Sequence, residues 1–319
     1  MFETKSELRK FATATTSIIT AAALAFSLTG CTPTRTKEQD LQLQFMQSKF
    51  AANAYVEGFT PGQPDYGITI EMLLQRAGLY DNSESFKASV AAILEDDKLS
   101  GNATHTTGYL FSENSVKVDL AGKYTFASVA LKADNKETRE GIIALAETAY
   151  EQAQVAPTDF ALSWLALGLD ATQNEHVTQV ARDLVAAQNT DGGFDDYTPG
   201  ESTADATGLA LMALAAVQDE LDVKDAISKA QQYLTTTLID GNHFESYGSA
   251  NVNGTAYAFM GLKATGANSD TLATLQSWLA TQLQPDGGVQ AGFAPGASDT
   301  MATSQAVLAI NGRTYLELL

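Results

Sequence analysis

The sequence predicts an all-α protein: an α6/α6 toroid, a closed ring of six helix pairs around a central cavity. Three observations predict it. Thr207, Thr255 and Thr303 stand 48 residues apart, each with a small residue six positions on (Ala213, Gly261, Ala309) and a helix-capping type four positions before (Thr203, Asn251, Asp299). Long amphipathic segments alternate with shorter ones that are apolar nearly all round. Asp-Gly turns separate the two kinds. A fixed period of that length marks one supersecondary unit, copied and stacked.

Residues 1–30 have the pattern of an export signal. Lys5, Arg9 and Lys10 make the start basic, and Thr15 to Leu28 is an uncharged, mostly apolar run. That run is shorter than the roughly 20 residues a spanning helix needs. Leu28-Thr29-Gly30-Cys31 resembles the lipobox of bacterial lipoproteins. The resemblance implies cleavage before Cys31, lipid attachment to it, and a body anchored on the extracytoplasmic face of a membrane. Residues 31–39 then form a polar tether and 40–319 the toroid domain. Cys31 is the only cysteine, which excludes an internal disulfide and a thiolate zinc site.

The outer helices are expected at Asp40–Val56, Ser83–Glu95, Glu137–Gln152, Glu175–Gln188, Lys224–Thr236 and Asp270–Leu283. In the fifth, Ile227, Ala230, Tyr233 and Leu234 make one apolar stripe on an otherwise polar helix. The inner helices are expected at Tyr66–Ala77, Lys123–Ala133, Asp159–Leu169, Ala204–Ala216, Val252–Ala264 and Thr300–Ile310. Gly208-Leu209-Ala210-Leu211-Met212-Ala213-Leu214 has almost no polar face, as a helix buried on most sides requires. Thr203, Asn251 and Asp299 are expected to cap their helices. Asp191-Gly192-Gly193-Phe194, Asp240-Gly241 and Asp286-Gly287-Gly288-Val289 make the turns between outer and inner helices. Ser115-Val116-Lys117-Val118 is the one segment that reads as extended.

The formal net charge of −19 argues against nucleic acid, whose binding needs phosphate neutralisation, and against a polybasic grip on anionic lipid. His105, His176 and His243 are far apart and show no H-x-x-x-H spacing, so no metal site is expected.

Gln188-Asn189-Thr190-Asp191-Gly192-Gly193-Phe194 and Gln284-Pro285-Asp286-Gly287-Gly288 resemble the Q-x-x-D-G-G-[FW] turn of the prenyltransferase/squalene-cyclase repeat superfamily. Asn253-Gly254-Thr255-Ala256-Tyr257-Ala258 resembles its inner-helix half. The resemblance covers roughly 155–312 and implies the fold. Its branches differ in chemistry. The acidic D-x-D-D donor of the cyclases does not occur, Glu95-Asp96-Asp97 being the nearest run, and the zinc-site and thioester cysteines of other branches are missing. The branch left is similar to the intrinsic-factor/transcobalamin carriers, which add a β domain that has no counterpart in these residues.

These readings lead to a non-catalytic, extracytoplasmic binder of an amphipathic small molecule, with cobalamin or a related corrinoid as the first candidate and a transporter as a partner to be tested. No covalent cofactor is expected. Tyr197, Phe244, Tyr247 and Phe293 are the expected stacking walls at one rim, with Asp205 and Asn253 as polar contacts. The alternatives are a cell-envelope scaffold and a glycan-active toroid enzyme. For the enzyme, Asp195, Asp196, Glu201 and Asp205 would supply the paired carboxylates that glycoside hydrolysis needs.

Overall fold

The computed structural model describes residues 33–50, 55–58, 62, 64–95, 111–112, 115–151 and 157–319. It divides into Met1–Arg35 and a compact unit, Thr36–Leu319. The signal segment and Cys31 lie outside the described residues, as do Asp96, Asp97 and His105.

Among the described residues twelve α-helices follow one another in pairs. They are α1 (Lys37–Lys49) and α2 (Tyr66–Gly78), then α3 (Glu84–Val90) and α4 (Val118–Ala130), then α5 (Lys136–Glu151) and α6 (Asp159–Ala171). The pairs α7 (Val177–Ala187) and α8 (Ala204–Val217), α9 (Lys224–Thr236) and α10 (Val252–Ala264), and α11 (Ser269–Ala280) and α12 (Thr300–Ile310) complete the set. A single π-helical turn, Ala91–Glu95, extends α3. The expected tether is shorter than its sequence suggests. Thr36 and Gln39 form a reciprocal capping box that starts α1 at Lys37.

Each even-numbered helix packs on the next, and α12 packs on α2. The odd-numbered helices lie outside them; α9 buries Ala226, Ile227, Ala230 and Leu234 and leaves its other face in solvent. The even helices are buried on nearly every side, as α8 shows from Ala206 through Ala215.

Glycines set the tightest approaches. A Cβ on Gly208 would lie 2.4 Å from the Tyr257 carbonyl oxygen, and one on Gly261 would lie 2.2 Å from that of Gly208. Gly122 and Gly168 meet in the same way between α4 and α6. At Gly261 the small residue of the repeat therefore lets α10 touch α8 directly. Contacts advance together along α8 and α10, from Gly208–Tyr257 to Leu211–Gly261, so these helices run parallel.

The outer-to-inner connectors are not plain turns. β1 (Phe111–Ser112) and β2 (Ser115–Val116) form a hairpin before α4, β3 (Phe194–Asp195) and β4 (Ser202–Thr203) before α8, β5 (Glu245–Ser246) and β6 (Ser249–Ala250) before α10, and β7 (Val289–Ala291) and β8 (Ala294–Asp299) before α12. The periodic threonine explains their placement. The Thr207, Thr255 and Thr303 hydroxyls accept the backbone N–H of Phe194 at 2.9 Å, Phe244 at 3.1 Å and Val289 at 2.9 Å. Thr69 does the same for Val56. Each hydroxyl satisfies a buried donor, and the three periodic ones tie the residue that follows an Asp-Gly turn to its inner helix.

Candidate active site

The even helices present their N-termini and their polar residues at one end. Thr203 caps α8, Asn251 caps α10 and Asp299 caps α12, each side chain accepting a backbone N–H three residues on, at 3.2, 2.8 and 2.7 Å. The second residue of each even helix in order is Gly67, Asp119, Phe160, Asp205, Asn253 and Met301. One turn deeper, the sixth is Glu71, Lys123, Trp164, Leu209, Tyr257 and Gln305. An i, i+4 relation keeps both positions on one face. All six residues of the deeper layer are buried.

The outer layer is acidic. The charges of Asp119, Asp195 and Asp205 all act on Asp196, and the Asp159 carboxylate accepts the Asp195 backbone N–H at 3.0 Å. Burial pushes the half-buried Asp196 up to about 7, with the charges of Asp205, Asp119 and Asp195 adding to it. Burial raises Asp205 to about 6, against the pull of the Asn251 amide that donates to it at 2.8 Å. Asp159 also rises to about 6, mainly by burial, the Asp195 N–H opposing and the Asp195 charge adding. Asp196 therefore keeps its proton to higher pH than Asp205 and Asp159 do. That is the arrangement of a general acid paired with a base.

Beneath it the Glu71 carboxylate receives the Lys123 ammonium at 2.8 Å, the Tyr257 hydroxyl at 2.6 Å and the Gln305 amide at 2.8 Å. Below this layer the interior is filled. Tyr315, from the C-terminal 3₁₀ turn Tyr315–Leu318, packs on Phe126, Trp164 and Tyr257.

The sequence-nominated aromatics separate into two kinds. Tyr197, Tyr247 and Phe293 stand out at the connectors before α8, α10 and α12, with 86, 106 and 77% of their surface exposed. Tyr247 and Gly248 have φ of 52° and 74° at the centre of a two-residue turn. That primed turn suits Asn-Gly, and a tyrosine at its first position costs about 1 kcal/mol or more. Phe244 does not belong with them. It is 4% exposed and plugs the core behind its tie to Thr255, so it is corrected to a packing residue. Asp205 is in the cluster. Asn253 donates to Gln305 and so belongs to the supporting network.

Of the carboxylates expected on one loop, Asp195, Asp196 and Asp205 come together, while Glu201 stays exposed. Asp119 and Asp159, from two other repeats, join them; sequence reasoning missed both, as it missed Glu71 and Lys123. The signal was positional: a polar residue at the first, second or sixth place of an inner helix. Among the described residues no group of three or more His, Cys, Asp or Glu side chains is arranged to hold a metal.

No protein-family model and no curated protein sequence matches the chain. Solved structures do. The GH76A α-1,6-mannanase from Salegentibacter sp. HEL1_6 superimposes with a TM-score of 0.63 at 12% identity, over 89% of this chain and 99% of that one. The type II terpene cyclase MstE from Scytonema, in complex with geranylgeranyl dihydroxybenzoate, gives 0.65 at 13% identity, over 88 and 97%. A protein from Actinoplanes gives 0.61 at 13% identity, over 86 and 98%. The mannanase and the cyclase are α/α toroids, and the chain has that fold. They are also enzymes. With the acid cluster, this overturns the expectation of a non-catalytic binder, and the likenesses lend cobalamin capture no support.

Proposed function

We propose that the chain is a glycan-active enzyme built on a closed α6/α6 toroid, cleaving a glycosidic bond at the acidic end of its inner helices. The observation that carries the reading is the aspartate cluster, in which Asp196 is raised to about 7 while Asp205 and Asp159 are raised to about 6. Asp196 is the general acid that protonates the leaving oxygen. Asp205, losing its proton at lower pH, is the second carboxylate and acts as base or nucleophile. A salegentibacter mannanase variant with two consecutive aspartates replaced is described as inactive. Asp195-Asp196 is likewise a consecutive pair.

The exposed aromatics favour a sugar over an isoprenoid. Pyranose faces stack on Tyr and Phe while their hydroxyls remain free to bond, whereas a cyclase substrate needs an apolar interior. Here that interior is occupied by Phe126, Trp164, Tyr257 and Tyr315, all fully buried. The packing of α12 on α2 supports closure of the helix pairs. The lipobox-like segment supports export and anchoring through Cys31, which would present the enzyme to extracytoplasmic glycans.

Incubation of the signal-less protein with a panel of polysaccharides, α-1,6-mannan first, tests the reading. New reducing ends are expected from at least one α-glycan. Binding without release of reducing ends from any member would move the chain to the carbohydrate-binding class.

A further inference from the structure

A cavity lies at the end of the inner helices away from the acid cluster. It has a volume of about 490 Å³ and opens between one face of α5 and the C-terminal ends of α4 and α6. The 13 residues of α6 keep its two ends about 20 Å apart, so this cavity is separate from the aspartates at the N-termini. Its volume is in the range of small-molecule sites. Its walls are partly apolar, with Val129 from α4, Ile143 from α5 and Ala171 from α6.

Two charged side chains of α5 line this cavity incompletely paired. Arg139 donates through Nη1 to Asn135 Oδ1 at 3.3 Å, but its Nε is buried and has no hydrogen-bond partner among the described residues. Glu147 has a buried Oε1 in the same condition. His176 Nδ1 lies 3.0 Å from it, out of line for a hydrogen bond. A buried polar group left without its bond costs about 1–3 kcal/mol, and a charged one more. Neither side chain relieves the other, since the stretch of α5 from Arg139 to Glu147 sets their Cα atoms about 12 Å apart. Lys136 and Glu140 are already paired with each other at 3.7 Å and well exposed, so they stand at the mouth.

We propose that this cavity binds a short zwitterionic peptide, its carboxylate on Arg139 and its ammonium on Glu147. The two poles have opposite sign and lie at different ends of one pocket. A guanidinium holds a carboxylate, and a carboxylate an ammonium, through charge-assisted hydrogen bonds, the strong kind. The contact of Glu147 with His176 sets the acidic pole beside the C-terminal end of α6, whose dipole also favours a cation. A di- or tripeptide, at about 3.3–3.6 Å per residue, carries its terminal charges at such a spacing. The apolar walls suit small aliphatic side chains. The site shares no residue with the acid cluster and does not rest on the glycan reading.

Titration calorimetry on the full signal-less chain tests it, with trialanine as the probe beside alanine, N-acetyl-trialanine and trialanine amide. Trialanine should bind at submillimolar concentration. Blocking either terminus should weaken binding at least about tenfold, as should Arg139→Gln or Glu147→Gln. If a variant fails to fold, the blocked peptides on the wild-type chain still test both poles. No heat from trialanine, equal affinity for the blocked peptides, or full affinity in both folded variants would overturn the proposal. Alanine binding as tightly as trialanine would overturn the assignment to a peptide.

Discussion

Asp196 gathers the chemistry of this molecule in one side chain, and its cost can be read in stability. Its folded pKa, about 7, lies above the roughly 3.9 of an unfolded aspartate, so the folded state binds the extra proton between these values. The stability this contributes is complete below about pH 4 and is lost as pH rises through 7. Asp196→Asn should therefore raise the melting temperature at pH 8 and leave it nearly unchanged at pH 4, in thermal melts across that range. A gain of equal size at both pH values would mean that the ionisation of Asp196 is not what costs the stability. Tyr197, Tyr247 and Phe293 pack on nothing that their removal would unsettle. Alanine at each should weaken polysaccharide binding by about 0.5–1.5 kcal/mol in titration calorimetry while the melting temperature holds. Phe244 shows why residue identity alone misled: an aromatic next to a turn is equally a rim platform and a core plug, and only the tie to Thr255 separates the two.

At the scale of the element, the helices were legible and the connectors were not. Three elements, α9, α10 and α12, have the ends their sequence predicts; Asn251 and Asp299 cap α10 and α12, and a change of polarity marks α9. Only Ser115–Val116 of the hairpins reads as extended in the sequence; the others escaped notice because their strands are mostly two residues long, too short for an alternating pattern. The Thr repeat was visible, but its purpose needed the partner, a backbone N–H 11 to 14 residues upstream. Thr207→Val and Thr255→Val each strand one buried donor and should cost about 1–3 kcal/mol in denaturant melts, whereas Thr207→Ser should cost less. Gly261→Leu should cost more than either, since its Cβ alone would overlap the Gly208 carbonyl. A tolerated Gly261→Leu would contradict the direct contact of α8 with α10.

For the whole molecule, the repeat carried the fold and concealed the site. A site assembled from several repeats leaves no local motif: Asp119, Asp159 and Asp205 stand at the first or second places of three inner helices far apart in sequence, and converge only in the fold, Asp119 and Asp205 on Asp196 and Asp159 on Asp195. Sequence reasoning found the part of the cluster that lies in one connector and lacked the part supplied by the other repeats. The proposed anchor belongs to this scale too. Cys31→Ala should abolish fatty-acid labelling in cells and release the protein or leave its precursor uncut; equal label on both forms would end the lipoprotein reading.

The measurement that bears most directly on the whole account is the pH–rate profile of glycan cleavage in wild type, Asp196→Asn and Asp205→Asn. The account predicts a bell with limbs near pH 6 and 7, set by Asp205 and Asp196, and a loss of at least about 100-fold in each variant without unfolding. Undiminished turnover in both variants, with the wild-type profile intact, would contradict it.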